Sequence, residues 1–181
     1  MEEQGQSIQV VPMQPQHIED LEQLERECFS TPWSFDALVS ELSNPLAVFR
    51  VAEIGGRVAG YVGMQHIVDE GYICNIAVFP QYRRLGVATR LFEELDRYAK
   101  ENDMASVSLE VRESNRIAQE FYGKFGFEVV GERKNFYANP TENALIMTKT
   151  YGGLFKTGQP LSFMLFWTKE KKGIFKGEKM P

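Results

Sequence analysis

The chain has 181 residues, of which 43% are hydrophobic and 25% charged, the composition of one globular domain large enough to build a stable core. A formal net charge of -5 argues against a nucleic-acid binder driven by bulk charge. Cys28 and Cys74 fit neither a metal-binding spacing nor a disulfide framework, so no metal and a reducing compartment are expected.

The N-terminus, Met1-Glu2-Glu3-Gln4, lacks the basic start and apolar run of a signal peptide. No apolar stretch approaches the ~20 residues that a membrane span needs. A cytoplasmic protein without a membrane span is expected. Ser7–Val11 alternates as a strand does. Gln16–Cys28 places Ile18, Leu21, Leu24 and Cys28 at helical spacing. Thr31-Pro32-Trp33-Ser34 breaks the chain, and Ser34 can cap a second helix that turns Phe35, Leu38 and Leu42 inward. Ala47–Ile54 and Arg57–Val68 read as strands joined by the hairpin signal Gly55-Gly56. Asp69-Glu70-Gly71 turns into a strand over Tyr72–Val78. Val87, Leu91, Leu95 and Tyr98 line one face of a long helix ending near Asn102. Ser106–Arg112 is a strand, Asn115–Phe125 a helix, and Phe127–Lys134 with Ala144–Thr150 a closing hairpin. Interleaved helices, antiparallel hairpins and one strand–helix–strand unit predict a mixed three-layer α/β domain over residues 1–150.

Residues 151–181 differ in composition. They hold six lysines against two glutamates, a charge of +4, which leaves -9 on the rest of the chain. They also carry the apolar run Leu161–Trp167. This basic, aromatic C-terminal extension reads equally as a poorly ordered terminus or as a docking, RNA-contacting or membrane-surface segment.

The stretch from Ile76 to Ala88 carries the most chemistry. A strand runs through Pro80, Arg83 and Arg84 into Leu85-Gly86-Val87-Ala88, where a helix starts. The first N–H groups of a helix have no partner within it, and its dipole favours an anion there. Gly86 and Ala88 leave the backbone approachable, and the two arginines add charge. No G-x-x-x-x-G-K-[ST] occurs, which sets aside a P-loop phosphotransferase.

With Arg83, Gly86 and Ala88 forming R-x-x-G-x-A, with Leu109-Glu110-Val111-Arg112, Ser114-Asn115 and Phe121–Phe127, the chain resembles the GNAT acetyltransferases over about residues 7–150. Phe29–Ser34 and Arg133-Lys134-Asn135-Phe136-Tyr137 make it most similar to the RimI-type enzymes, which acetylate the N-terminal alanine of a small-subunit ribosomal protein. The resemblance implies a GNAT-like mixed, mostly antiparallel sheet with helices on both faces. It implies acetyl-CoA as cosubstrate, its pyrophosphate held by Arg83, Arg84, Leu85, Gly86, Val87, Ala88 and Thr89. It also implies that the backbone of Ile76, Ala77 and Val78 faces the pantetheine and acetyl oxygen where two strands splay apart, with Asn115 as a further CoA contact. From the residues alone, Cys74–Val78 reads equally as a fully paired central strand, and Asn115 as a helix N-cap.

Acetyl transfer to an amine needs that amine neutral and the leaving thiolate protonated. An α-amine titrates at about 7.7–8.0 and a lysine at about 10.4, so near pH 7 roughly a tenth of the former is neutral and well under a thousandth of the latter. An α-amine therefore asks little of a base, and a carboxylate acting through water suffices. On spacing alone Glu110 is most simply a solvated glutamate or a partner for Arg112, and Tyr122 a core aromatic. The resemblance makes Glu110 the base and Tyr122 the acid that protonates the CoA sulfur. Trp33, Arg133, Phe136 and Tyr137 are candidates to bind the acceptor; aromatics in a hairpin usually pack across strands, while the resemblance implies that the last three lie at the mouth that receives a peptide N-terminus. The expected partner is thus a protein N-terminus, that of a ribosomal protein, with no direct nucleic-acid site. Neither a monomer nor a homo-oligomer is indicated. The other readings are transfer to a lysine or small amine, and a non-catalytic acyl-CoA-binding module.

Overall fold

The computed structural model describes residues 7–152, so the Leu161–Trp167 run and the N-terminal Met1–Gln4 lie outside the described residues. Seven strands form one sheet: β1 (Ile8–Pro12), β2 (Ala47–Ile54), β3 (Arg57–Ile67), β4 (Glu70–Val78), β5 (Ser106–Arg112), β6 (Glu128–Ala138) and β7 (Thr141–Thr150). Their order across the sheet is β1-β2-β3-β4-β5-β7-β6. The helices are α1 (Ile18–Cys28), α2 (Phe35–Leu42), α3 (Val87–Glu101) and α4 (Arg116–Lys124). Only β4 and β5 run parallel, and α3 supplies the crossover that parallel neighbours need. The mixed, mostly antiparallel sheet with helices on both faces is as expected.

Alternation in the strands divides the core in two. Val62, Ile73, Ile76, Val107 and Leu109 pack with Val87, Leu91, Phe92 and Leu95 of α3 and with Tyr122 of α4. Tyr61, Cys74 and Ala77 pack on the other face with Leu21 and Leu24 of α1 and Leu38 of α2. Ser34 caps α2 as its sequence predicts, its hydroxyl accepting from the Ala37 N–H at 3.2 Å.

Two departures from the predicted elements bear on the site. The last hairpin is longer than its alternation suggests, because β6 is irregular between Val129 and Gly131 and again between Arg133 and Tyr137. Strand β4 begins at Glu70, two residues earlier than its turn signal implies. The preceding turn instead runs through Val68 at φ 59°, an uncommon conformation for a β-branched residue.

Candidate active site

The central feature is a parting of β4 from β5. The two strands pair only at Glu70, Gly71 and Tyr72, opposite Ser106, Val107 and Ser108. Beyond Tyr72, β4 continues alongside β3 while β5 continues alongside β7. A bulge accompanies the split. Gly63 lies opposite Asn75 and Met64 opposite Ile73, which leaves Cys74 as the extra residue. The alternative of a fully paired central strand is thus corrected: Ile73–Val78 has a partner strand on one side only. The side chains of Ile76 and Ala77 are buried in the two halves of the core, and the backbone of Ile76 and Val78 faces the gap, whereas that of Ala77 alternates toward β3 and is not available to it.

At the end of β4 the chain turns through a 3-10 segment, Pro80–Tyr82, into the loop before α3. Arg84 has φ 63° and Gly86 φ 86°, and Gly86 is the N-cap of α3. A Cβ on Gly86 would have nothing within 4 Å, so the glycine is required by its backbone angle and leaves the helix N-terminus bare. This loop forms one wall of a cleft of about 670 Å³. Val78, Arg83, Arg84, Gly86, Val87, Ala88 and Thr89 line that wall, and Ile117, Glu120, Phe121 and Lys124 of α4 line the other. Leu85 is exposed and is not part of the cleft lining. The two arginines do different work. Arg83 donates to the Val78 carbonyl at 3.3 Å and approaches the Cys28 sulfur at 3.7 Å, tying the loop to β4 and α1. Arg84 is exposed and has no ion-pair partner among the described residues. Asn115 caps α4 by accepting from the Ala118 N–H at 3.1 Å. Residues 117, 120, 121 and 124 share one helical face by spacing, but no local signal marks that face as a wall of the cleft.

Glu110 lies on β5 past the split. It points away from Leu109 and Val111, which belong to the α3–α4 side of the core. Its side chain is only 3% exposed. Arg133 Nε stands 3.0 Å from Oε1, close enough to attract but not aligned as a hydrogen bond, so neither carboxylate oxygen has a hydrogen-bond partner. Burial raises the Glu110 pKa to about 7, with the charge of Arg133 pulling the other way. Tyr122 approaches from the opposite side of the sheet, packed against Phe92 and Phe127 at centroid distances of 5.4 and 6.1 Å. Burial pushes its hydroxyl well above the ordinary range. Burial pushes the Tyr137 hydroxyl of β6 well above its ordinary range, and the charge of Glu110 raises it further.

Of the residues expected to meet an acceptor, three gather beside Glu110. Arg133 pairs with it and lies 5.8 Å over the Phe136 ring, and Phe136 meets Tyr137 edge-on at 5.1 Å. Buried Arg112 fixes Tyr137 from behind, 4.2 Å from its ring, and is held by Glu142 at 3.0 Å. Trp33 is not among them. It is 5% exposed and packs against Phe49 in the α1–α2 side of the core.

The residues fit acetyl-CoA: a bare helix N-terminus beside an unpaired arginine for the pyrophosphate, and an unpaired strand edge leading from it to a buried carboxylate. The chain also has relatives. Residues 18–127 match the profile of the Acetyltransferase (GNAT) family. A Bacillus subtilis protein, provisionally named a [ribosomal protein bS18]-alanine N-acetyltransferase, is 40% identical over 139 residues, spanning 76% of this chain and 92% of its own. The [ribosomal protein bS18]-alanine N-acetyltransferase of Haemophilus influenzae is 34% identical over 132 residues, 71% of this chain and 89% of its own. The crystal structure of the Escherichia coli ribosomal-protein-S18-alanine N-acetyltransferase superposes with a TM-score of 0.76 at 25% identity, covering 84% of this chain and 99% of that one.

Proposed function

The chain belongs to the acetyltransferase (GNAT) family, and from that premise we propose that it moves an acetyl group from acetyl-CoA to the N-terminal α-amine of a protein, the alanine of ribosomal protein bS18. One observation carries the reading. Glu110 is a buried carboxylate without a hydrogen-bond partner, its pKa raised to about 7, on the strand that borders the β4–β5 gap. A base poised near neutrality is matched to an α-amine at about 7.7–8.0, and poorly matched to a lysine at about 10.4.

Acetyl-CoA supplies the activated acetyl group as a thioester. The N-terminus of α3 and Arg84 hold its pyrophosphate, and Arg83 holds the loop in place. The backbone N–H groups of Ile76 and Val78 offer donors to the thioester arm along the edge that β5 leaves open, while that of Ala77 turns to β3. Asn115 sits at the start of α4 as a further CoA contact. Glu110 takes the proton of the incoming ammonium, directly or through one water. Tyr122, its raised pKa keeping it protonated, donates to the departing sulfur. Arg133, Phe136 and Tyr137 border the acceptor side. A ribosomal protein as substrate implies the cytoplasm. Consistent with this, no helix among the described residues is long and apolar enough to cross a membrane.

The test is an acceptor panel. Peptides beginning with Ala, Ser, Met or an acetyl cap, some containing lysine, are incubated with the protein and acetyl-CoA, and the products are mapped by mass spectrometry. Acetylation on the α-amine of Ala-initiated peptides is expected. Modification confined to lysine side chains would reject the Nα reading, and the absence of thiol release with any amine would identify an acyl-CoA-binding module.

A further inference from the structure

A second buried carboxylate lies on the far side of the sheet from α3. Glu25 of α1 is 0% exposed and is the acceptor for three donors. The Tyr61 hydroxyl reaches Oε1 at 2.5 Å, Asn75 Nδ2 reaches the same oxygen at 2.9 Å, and the Trp33 backbone N–H reaches Oε2 at 2.8 Å. Asn75 also donates to the Tyr61 oxygen at 3.2 Å. Asn75 belongs to the bulge. Ile73 and Ile76 face α3, whereas Cys74 and Ala77 face α1, and the extra residue at Cys74 leaves Asn75 also turned toward α1. A buried amide there needs an acceptor, and Glu25 provides it.

We propose that Glu25 is a positioning residue for the acetyl-donor site: its carboxylate holds the Cys74–Asn75 bulge in place and thereby keeps β4 parted from β5. The inference rests on the reading that this gap receives the thioester arm. Without the carboxylate, the Tyr61 hydroxyl and the Trp33 N–H lose their Glu25 acceptor in a dry interior, and the Asn75 amide keeps only the longer bond to Tyr61. The shortest relief is loss of the bulge, which restores alternation along β4 and closes the edge that faces β5. Burial raises the Glu25 pKa to about 7, so this carboxylate is kept in the core at a cost, which its hydrogen bonds from Trp33, Tyr61 and Asn75 reduce.

The experiment compares acetyl-CoA affinity by calorimetry with thermal stability in Glu25→Gln, Glu25→Ala and a control, Leu24→Ala. Leu24 is equally buried on the same helix, so its truncation lowers Tm while leaving the Glu25 carboxylate and its three hydrogen bonds in place. Glu25→Ala is expected to lose about tenfold in affinity or more. Glu25→Gln, which keeps one accepting oxygen, should lose about threefold, and Leu24→Ala should bind as the parent does. Glu25→Gln keeps the test decisive if the alanine variant fails to fold. Parent-like affinity in Glu25→Gln, or an equal loss in Leu24→Ala, would overturn the proposal. Failure of the parent protein to bind acetyl-CoA would instead overturn the donor-site reading beneath it.

Discussion

Replacing Glu110 with glutamine should make the protein more stable as it makes it inactive. A carboxyl group whose pKa rises on folding is bound more readily as the neutral acid. Its contribution is fully present below the unfolded pKa and is lost as pH rises through the folded one. For Glu110 that window runs from 4.5 to about 7. Each unit is worth about 1.4 kcal/mol, so by pH 8 the parent protein has forfeited up to about 3 kcal/mol that a neutral side chain would keep. Glutamine matches the protonated acid in shape and charge. The variant should therefore melt close to the parent near pH 5 and above it near pH 8, by up to about 6–12 °C at about 2–4 °C per kcal/mol. Glu25 titrates over a similar range but is present in both proteins, so it cancels. The assay is a series of thermal melts from pH 5 to 8, paired with kcat/KM on an Ala-initiated peptide. Loss of the base should cost about 10²–10⁴ in kcat/KM and abolish the rise in rate through about pH 7, leaving the limb of the amine itself. A melting difference that does not grow with pH would refute the argument that Glu110 is buried at its own expense. Parent-like turnover would refute its role as base.

Tyr122→Phe keeps the packing on Phe92 and Phe127, so its Tm should barely move and acetyl-CoA affinity should change less than about twofold, while kcat falls by about 10²–10⁴; stopped-time thiol release measures the second, and equal turnover would remove the acid assignment. Gly86→Val forces a β-branched residue to φ 86° at a cost of about 1–2 kcal/mol or more and places bulk at the N-terminus of α3. Calorimetry should show acetyl-CoA binding weakened by about tenfold or more, since displacing one charge-assisted contact is worth that much, and unchanged affinity would contradict the pyrophosphate cradle.

Local signals made much of this molecule legible. Ser34 and Asn115 are short polar residues ahead of apolar helical runs, and both cap helices. Ser106–Arg112 alternates cleanly, and β5 has those bounds. Where a bulge interrupts alternation the reading fails, as in β6 past Lys134, which hides how Arg133, Phe136 and Tyr137 come to share one side with Glu110. The parting of β4 from β5 is a pairing between distant segments, and period-2 alternation within a strand carries no record of which neighbour it will keep. Glu25 was readable in part. It follows Leu21 by four residues and Ile18 by seven, which places it on the inward stripe of α1. Its partners, 36 and 50 residues away, were not.

The short junction between β4 and β5 also divides the molecule mechanically. Four strands, β1 to β4, and three strands, β5 to β7, are joined within the sheet by a ladder of only three residue pairs. Opening across that ladder breaks few backbone bonds, so amide exchange at the seam is expected to be faster than in β2 and β3, which are bonded on both sides. A ligand that lies along the open edge of β4 bridges the two blocks and replaces the missing rungs. Occupancy of the cleft is therefore expected to slow exchange on both sides of the seam, including in strands that touch no ligand.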